Sequence, residues 1–318
     1  MSLLSGHEKA LARGRGYSLL GLLWRRPVDG PLREAVLEVE SLRDHCPSME
    51  AIESGEAAAQ HHRLVALEVF PHASVFLDPE GQMGGDAAEA TSEFGRRIGF
   101  SCRDVSSDHL GALLGAMAHL CAGEADARRD HVPLPALQGH QALLLDSYVA
   151  SWLPPFVAAV EVLRDPFYGR LAELTGELVR DHGTELEEEG VLSISPVAAG
   201  EMKEPSGEET RGKPQEIAGI LLSPVRSGVF LSRSEISNWA RAADVPRGFG
   251  SRRDMLERLW ESGHRYGNQG DVHTGLRGWC EHRVTHYRSW GEWGLPWLER
   301  VQRTEAWLGR FLGLPGKA

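Results

Sequence analysis

Cysteine is scarce in this 318-residue chain, and no two of its four cysteines stand close together. Cys46, Cys102, Cys121 and Cys280 offer no disulfide framework and no paired zinc or redox motif; they fit reduced thiols used as small hydrophobes. Positive charge is also short: 45 acids against 34 bases leave a net charge of −11, which argues against a general nucleic-acid binder and for solubility, or for a cationic partner. No run of alternating β-branched residues marks a strand in the first half. No apolar run is long enough to span a bilayer, because the stretch around Leu143 to Leu163 is broken by Asp146, Pro154, Pro155 and Glu161. Leu19 to Trp24 precedes Arg25-Arg26, the reverse of the order in an export signal, so neither an export signal nor a membrane partner is expected. A glycine loop followed by lysine, a G-x-S-x-G elbow and a twin-cysteine pair are all missing. The chain is therefore not expected to be an enzyme, or to hold a cofactor of its own.

What is present is helical periodicity, with 42% hydrophobic residues to supply a core. Apolar positions at three-and-four spacing predict helices over residues 7–24, 31–42, 61–70 and 87–98, then over 142–149, 156–163 and 167–181. Between them, Pro79, Gly81, Gly84 and Gly85 predict a loop over 76–85. The fold class that follows is all-α, a helical bundle.

The stretch Gly99 to Gly123 carries the most chemistry. Leu110, Leu113, Leu114, Met117, Leu120 and Cys121 form one buried stripe, with Ser106 and Ser107 placed to cap its first turn. Asp108 and His109 sit at the helix start, where unsatisfied backbone donors favour a carboxylate. The plain reading makes Asp108 a helix-start acid; the sharper one makes the pair a recognition element.

The surroundings favour the sharper reading. Ser74-Val75-Phe76-Leu77-Asp78-Pro79-Glu80-Gly81 lies upstream of Gly99-Phe100 and Asp108-His109-Leu110, and Trp152-Leu153-Pro154-Pro155-Phe156 and Asp165-Pro166-Phe167-Tyr168 lie downstream. In this order and spacing, over residues 10 to 182, the chain resembles the TorD-like family of maturation chaperones for molybdenum enzymes. Ser107 in place of a proline, Leu114 near an acidic position and Tyr148-Val149 in place of His-Leu depart from the family pattern. The resemblance implies a cytoplasmic chaperone that binds the apo catalytic subunit of a molybdopterin-dependent oxidoreductase and its twin-arginine leader peptide. It further implies a client-binding site at Asp108, His109, Phe76, Leu77, Trp152 and Pro154. There Asp108 would accept from a guanidinium, His109 would add a polar contact, and the other four would line the apolar side.

Beyond this TorD-like domain (1–182) the chain changes character twice. Residues 181–216 hold ten acids against three bases with few large apolar groups, which predicts a mobile linker over 183–216. Residues 217–318 then hold fifteen bases against ten acids and seven of the nine tryptophans, and read as a mainly helical C-terminal domain. Ser232 to Glu235 and Ser251 to Asp254 have the form of capping boxes opening two short helices about a turn at 245–250. That pair supports an alternative, a DNA-binding regulator with a helix-turn-helix-like segment. Trp239, Met255, Leu256, Leu259 and Trp260 use the same helices for burial, so a nucleic-acid partner is not expected. Trp290, Trp293 and Trp297 read either as core or as a partner-binding surface. His282 and His286 form an i, i+4 pair without the glutamate of the zinc helix motif, and no metal is expected. The expected assembly is a monomer or a domain-swapped homo-oligomer.

Overall fold

The computed structural model describes residues 5–194 and 214–311. Among these residues it is helical without a strand, the one β-type pairing being an isolated bridge between His72 and His109. The all-α expectation is met. The chain divides into two compact units, and the division interleaves in sequence. The first unit takes residues 5–74, 83–153 and 164–194; the second takes 75–82, 154–163 and the chain from 214 on.

In the first unit α1 (Gly6–Arg25) opens with a capping box between Ser5 and Glu8. The short helices α2 (Gly30–Leu37), α3 (Glu40–Arg43), α4 (Met49–Glu53) and α5 (Glu56–His62) follow. The single helix expected over 31–42 is broken after Glu38 by Val39, whose extended conformation restarts the chain. A wide π-helical turn, Arg63–Glu68, continues α5 and ends where Val69 N–H donates to Leu64 O across five residues. Then come α6 (Ala73–Leu77), α7 (Gly85–Arg97), α8 (Leu110–Arg129) and α9 (Pro135–Leu143), the last extended by a second π-helical turn over Leu144–Ala150. After α10 (Leu153–Val162), α11 (Pro166–Glu188) returns to the first unit.

The core of the first unit is α1 packed against both α8 and α11. Leu110, Leu113, Leu114, Met117, Leu120 and Cys121 are all buried, as the spacing predicts. Trp24 Nε1 donates to Thr175 Oγ1 on α11 at 3.1 Å, and the Tyr17 hydroxyl meets His182 Nδ1 at 3.0 Å. Arg13 joins all three helices through ion pairs with the buried Glu124 of α8 and with Glu185 of α11. The acidic segment begins as helix: α11 continues to Glu188 with His182, Gly183 and Leu186 buried, because these positions fall on the inward stripe. Of the predicted linker, residues 195–213 lie outside the described residues, and 214–216 are helical.

The second unit gathers α10 with α12 (Pro214–Leu221), α13 (Pro224–Ser227), α14 (Arg233–Ala242), α15 (Arg252–Tyr266), α16 (Gln269–Arg288) and α17 (Leu295–Phe311). Both predicted capping boxes form, Ser232 with Glu235 and Ser251 with Asp254. Trp239, Met255, Leu256, Leu259 and Trp260 lie in one apolar cluster with Ile217, Leu221, Val272, Leu276 and Leu308. Trp290, Trp293 and Trp297 are buried as well, which removes the reading of them as a partner surface. At the centre Arg283 is fully buried. It donates to Glu235 Oε1 at 2.8 Å and to the Ala158 carbonyl at 2.9 Å, tying α16 to α14 and α10. His286 of the suspected metal pair has both ring nitrogens engaged, Nδ1 with Glu161 and Nε2 accepting from Trp290 Nε1. Among the described residues no three His, Cys, Asp or Glu side chains gather as metal ligands.

No single described helix is long and apolar enough to cross a membrane. The stretch nearest to that composition bends by 46° before α10, and Leu144, Leu145, Val149, Trp152, Leu153 and Phe156 within it are buried inside the protein.

Candidate functional site

The entrance to α8 is built by two backbone segments lying antiparallel. Leu110 N–H donates to Pro71 O at 2.7 Å and Ala73 N–H to Asp108 O at 3.0 Å, which sets His72 opposite His109. Their rings meet edge to face with centroids 4.9 Å apart.

Asp108 stands just outside α8, and its carboxylate serves α6. It accepts from Ser74 N–H at 3.1 Å and from the Ser74 and Ser106 hydroxyls, with His72 Nδ1 at 3.4 Å. Ser74 Oγ in turn accepts from Gly84 N–H at 3.0 Å. A carboxylate from one segment thus caps another helix, taking up backbone donors that the first turn of α6 leaves open. Burial alone would raise the Asp108 carboxyl, but the hydrogen bonds from His72, Ser106 and Ser74 outweigh it and hold the group well below the usual carboxylate range. The side chain is ionised, fully partnered and only 1% exposed.

His109 is the residue that caps α8. Its Nδ1 accepts from Gly111 N–H at 3.0 Å, which requires the neutral ring with its proton on Nε2. Burial, with the neighbouring charge of His72, pushes it down to about 3 against the opposing pull of Asp108. The serines expected to cap α8 have other work. Ser106 donates to Asp108, and Ser107 donates to the Ala88 carbonyl at 2.8 Å while accepting from Thr91 Oγ1, which fastens α7. Beside the corner Arg25 donates to both oxygens of Asp104, at 3.0 and 3.1 Å, and to Cys102 Sγ at 3.2 Å.

The other four site residues stand where the chain passes from one unit to the other. The helix that Asp108 caps begins in the first unit and carries Phe76 and Leu77 in the second; Trp152 lies one residue before the end of the first unit's run and Pro154 opens the second's. Phe76 and Leu77 were expected in a loop. Instead α6 runs through Leu77, and the loop starts at Asp78, whose Oδ1 accepts from Glu80 and Gln82 N–H in an Asx turn. Phe76 is fully buried, stacked on Phe230 at 5.3 Å and edge-on to Phe156 at 6.0 Å in the second unit's core. Trp152 is fully buried too and donates to the Tyr148 carbonyl at 2.7 Å. Pro154 is buried in the first turn of α10, where a proline has no hydrogen bond to lose. Leu77 keeps partial exposure, as does His72.

Sequence reasoning did not single out His72, Ser74 or Ser106 as the partners of Asp108. The available signal was Pro71, which ends the preceding helical run and leaves an extended residue or two able to pair with the segment before α8.

Residues 29–158, which include this corner, match the family model described as nitrate reductase delta subunit. Over this stretch the chain is similar to the TorD-like family. A TorD-like relative, the chaperone protein TorD of Shewanella amazonensis, is 26% identical over 210 residues, spanning 54% of this chain and 84% of the relative. No solved structure matches significantly. The family-model match takes in Asp108, His109 and their partners, and stops before α11 and before the C-terminal third. These matches support, in general terms, a chaperone in the maturation of molybdenum enzymes.

Proposed function

We propose that this TorD-like protein holds the unfinished catalytic subunit of a molybdopterin-dependent oxidoreductase, together with its twin-arginine leader, until the cofactor is inserted. The observation that carries the proposal is the Asp108–His109 corner, an ionised carboxylate and a neutral histidine fixing the starts of α6 and α8 inside the family match. Net charge supports a cationic leader, since residues 1–180 hold twenty-five acids against sixteen bases. Asp108, His109, Phe76, Leu77, Trp152 and Pro154 remain the proposed client-binding set, with parts divided by burial. Asp108 and His109 act on the leader through the backbone they hold, and Phe76, Trp152 and Pro154 anchor the segments that carry it. His72 and Leu77 supply the accessible surface.

Titration of a labelled leader peptide of the client against the whole chain tests this reading. Asp108→Ala and His109→Ala weaken binding by about tenfold, the loss of one well-placed polar group. His109→Asn restores it, because an asparagine oxygen can cap α8 in place of the ring nitrogen. Folded Asp108→Ala and His109→Ala variants that bind as tightly as the parent would remove the site.

A further inference from the structure

The turn between α14 and α15 presents Phe249 at 80% exposure, the most exposed large apolar side chain among the described residues. An aromatic ring in solvent on a floppy loop would mean little, but this turn is fixed. A Cβ on Gly248 would come within 2.8 Å of Met255 Cα and 3.4 Å of Arg258 Cβ, so the backbone lies flat against α15. Gly250 sits at φ +108°, and a Cβ there would come within 2.6 Å of Asp254 Oδ2. On the far side Arg233 donates to the Gly250 carbonyl at 2.6 Å. Phe249 is therefore held out rigidly between two anchored glycines, and little ordering entropy is left to lose on contact.

The charge around it is positive. Between residues 233 and 258 six arginines stand against four acids. Glu235 is committed to the buried Arg283, and Asp254 to the Ser251 backbone N–H and hydroxyl that cap α15. Arg247, Arg253 and Arg258 are exposed and make no ion pair with a carboxylate among the described residues. Arg252 lies over the Phe230 ring at 4.6 Å, and burial, with a smaller effect of nearby Arg233, lowers it to about 10.

We propose that this corner of the second unit is a docking surface for an acidic polypeptide segment bearing an apolar side chain, which seats on Phe249 while Arg247, Arg253 and Arg258 hold its carboxylates. Charge complementarity selects the occupant. A nucleic-acid duplex is disfavoured because the positive charge along α15 is interrupted: Glu257 and the exposed Glu261 alternate with Arg258 and Arg265. Aromatic and arginine side chains are the residue types that dominate small, tight protein contacts. This surface lies outside the family match and does not depend on the chaperone reading.

The test uses the full chain and fluorescence anisotropy with a labelled peptide alternating glutamate and leucine, a lysine-leucine counterpart and a labelled DNA duplex. The glutamate peptide binds and the lysine peptide does not. Phe249→Ser weakens binding by about tenfold, and the Arg253→Glu/Arg258→Glu double variant abolishes it. All three substituted positions are exposed, and circular dichroism confirms folding. Absence of glutamate-peptide binding, binding untouched by these variants, or tighter binding of the duplex would each overturn the proposal.

Discussion

Asp108 is more useful to its own chain than to solvent. One carboxylate, 1% exposed, gathers Ser74, Ser106 and His72 and so fixes the entrance of α6 against the entrance of α8. Removing it leaves buried donors without a partner, and Asp108→Ala is expected to cost about 1–3 kcal/mol in chemical denaturation. The adjacent His109 gives a prediction with a definite sign. Its pKa is about 3 in the fold and near the ordinary 6.5 in the unfolded chain, so its contribution is complete above about pH 6.5. As pH falls from there towards 3 the unfolded chain takes up a proton that the folded chain refuses, and stability drops by about 1.4 kcal/mol per pH unit. His109→Asn keeps an acceptor for Gly111 N–H and removes the titration. Denaturation between pH 6 and pH 4 should show a slope shallower by that amount in the variant; equal slopes would mean that His109 is not held neutral.

At the scale of elements, the head of α8 also explains why two glycines face each other. A Cβ on Gly111 would lie 2.3 Å from Arg25 Cγ and 2.5 Å from the Gly21 carbonyl, and one on Gly21 would lie 3.0 Å from the Gly111 carbonyl. A side chain can swing aside but a helix carbonyl cannot. Gly111→Ala is therefore expected to push α1 from α8 and cost roughly 1–3 kcal/mol, measurable as a lowered denaturation midpoint with unchanged m-value. Much at this scale was legible in the sequence. The stripe Leu110 to Cys121 is buried and both C-terminal capping boxes form, because periodicity and caps are local signals. Three features were not legible. The π-helical turns after His62 and Leu143 have no local residue code. Placing Phe76 in a loop gave Pro79 and Gly81 more weight than the cap that Asp108 supplies from thirty-odd residues away. Ser106 and Ser107 looked like caps because nothing nearby shows that Asp108 and Ala88 would claim their hydroxyls.

For the whole molecule, what the sequence concealed is the interleaving. The C-terminal third completes its core with residues 75–82 and 154–163, which Phe76, Phe156 and Ala158 bring into contact with Phe230 and Arg283. Two acids in those segments meet basic partners from the C-terminal third, Glu80 with Arg226 at 3.1 Å and Glu161 with His286 at 3.0 Å. The change of sign along the chain, legible as composition, is used inside that unit. The family motifs around Phe76 and Trp152 fall at the points where the chain changes unit. The account's central claim is that this scaffold receives an unfinished molybdenum enzyme. The most direct measurement is capture of partners by the tagged full chain from cells of its source blocked in molybdenum-cofactor synthesis, with the bound proteins identified by mass spectrometry. The account predicts a cofactor-free catalytic subunit that still carries its leader, recovered in smaller amount with Asp108→Ala. Recovery of no such subunit, or equal recovery of the cofactor-loaded and empty forms, would contradict it.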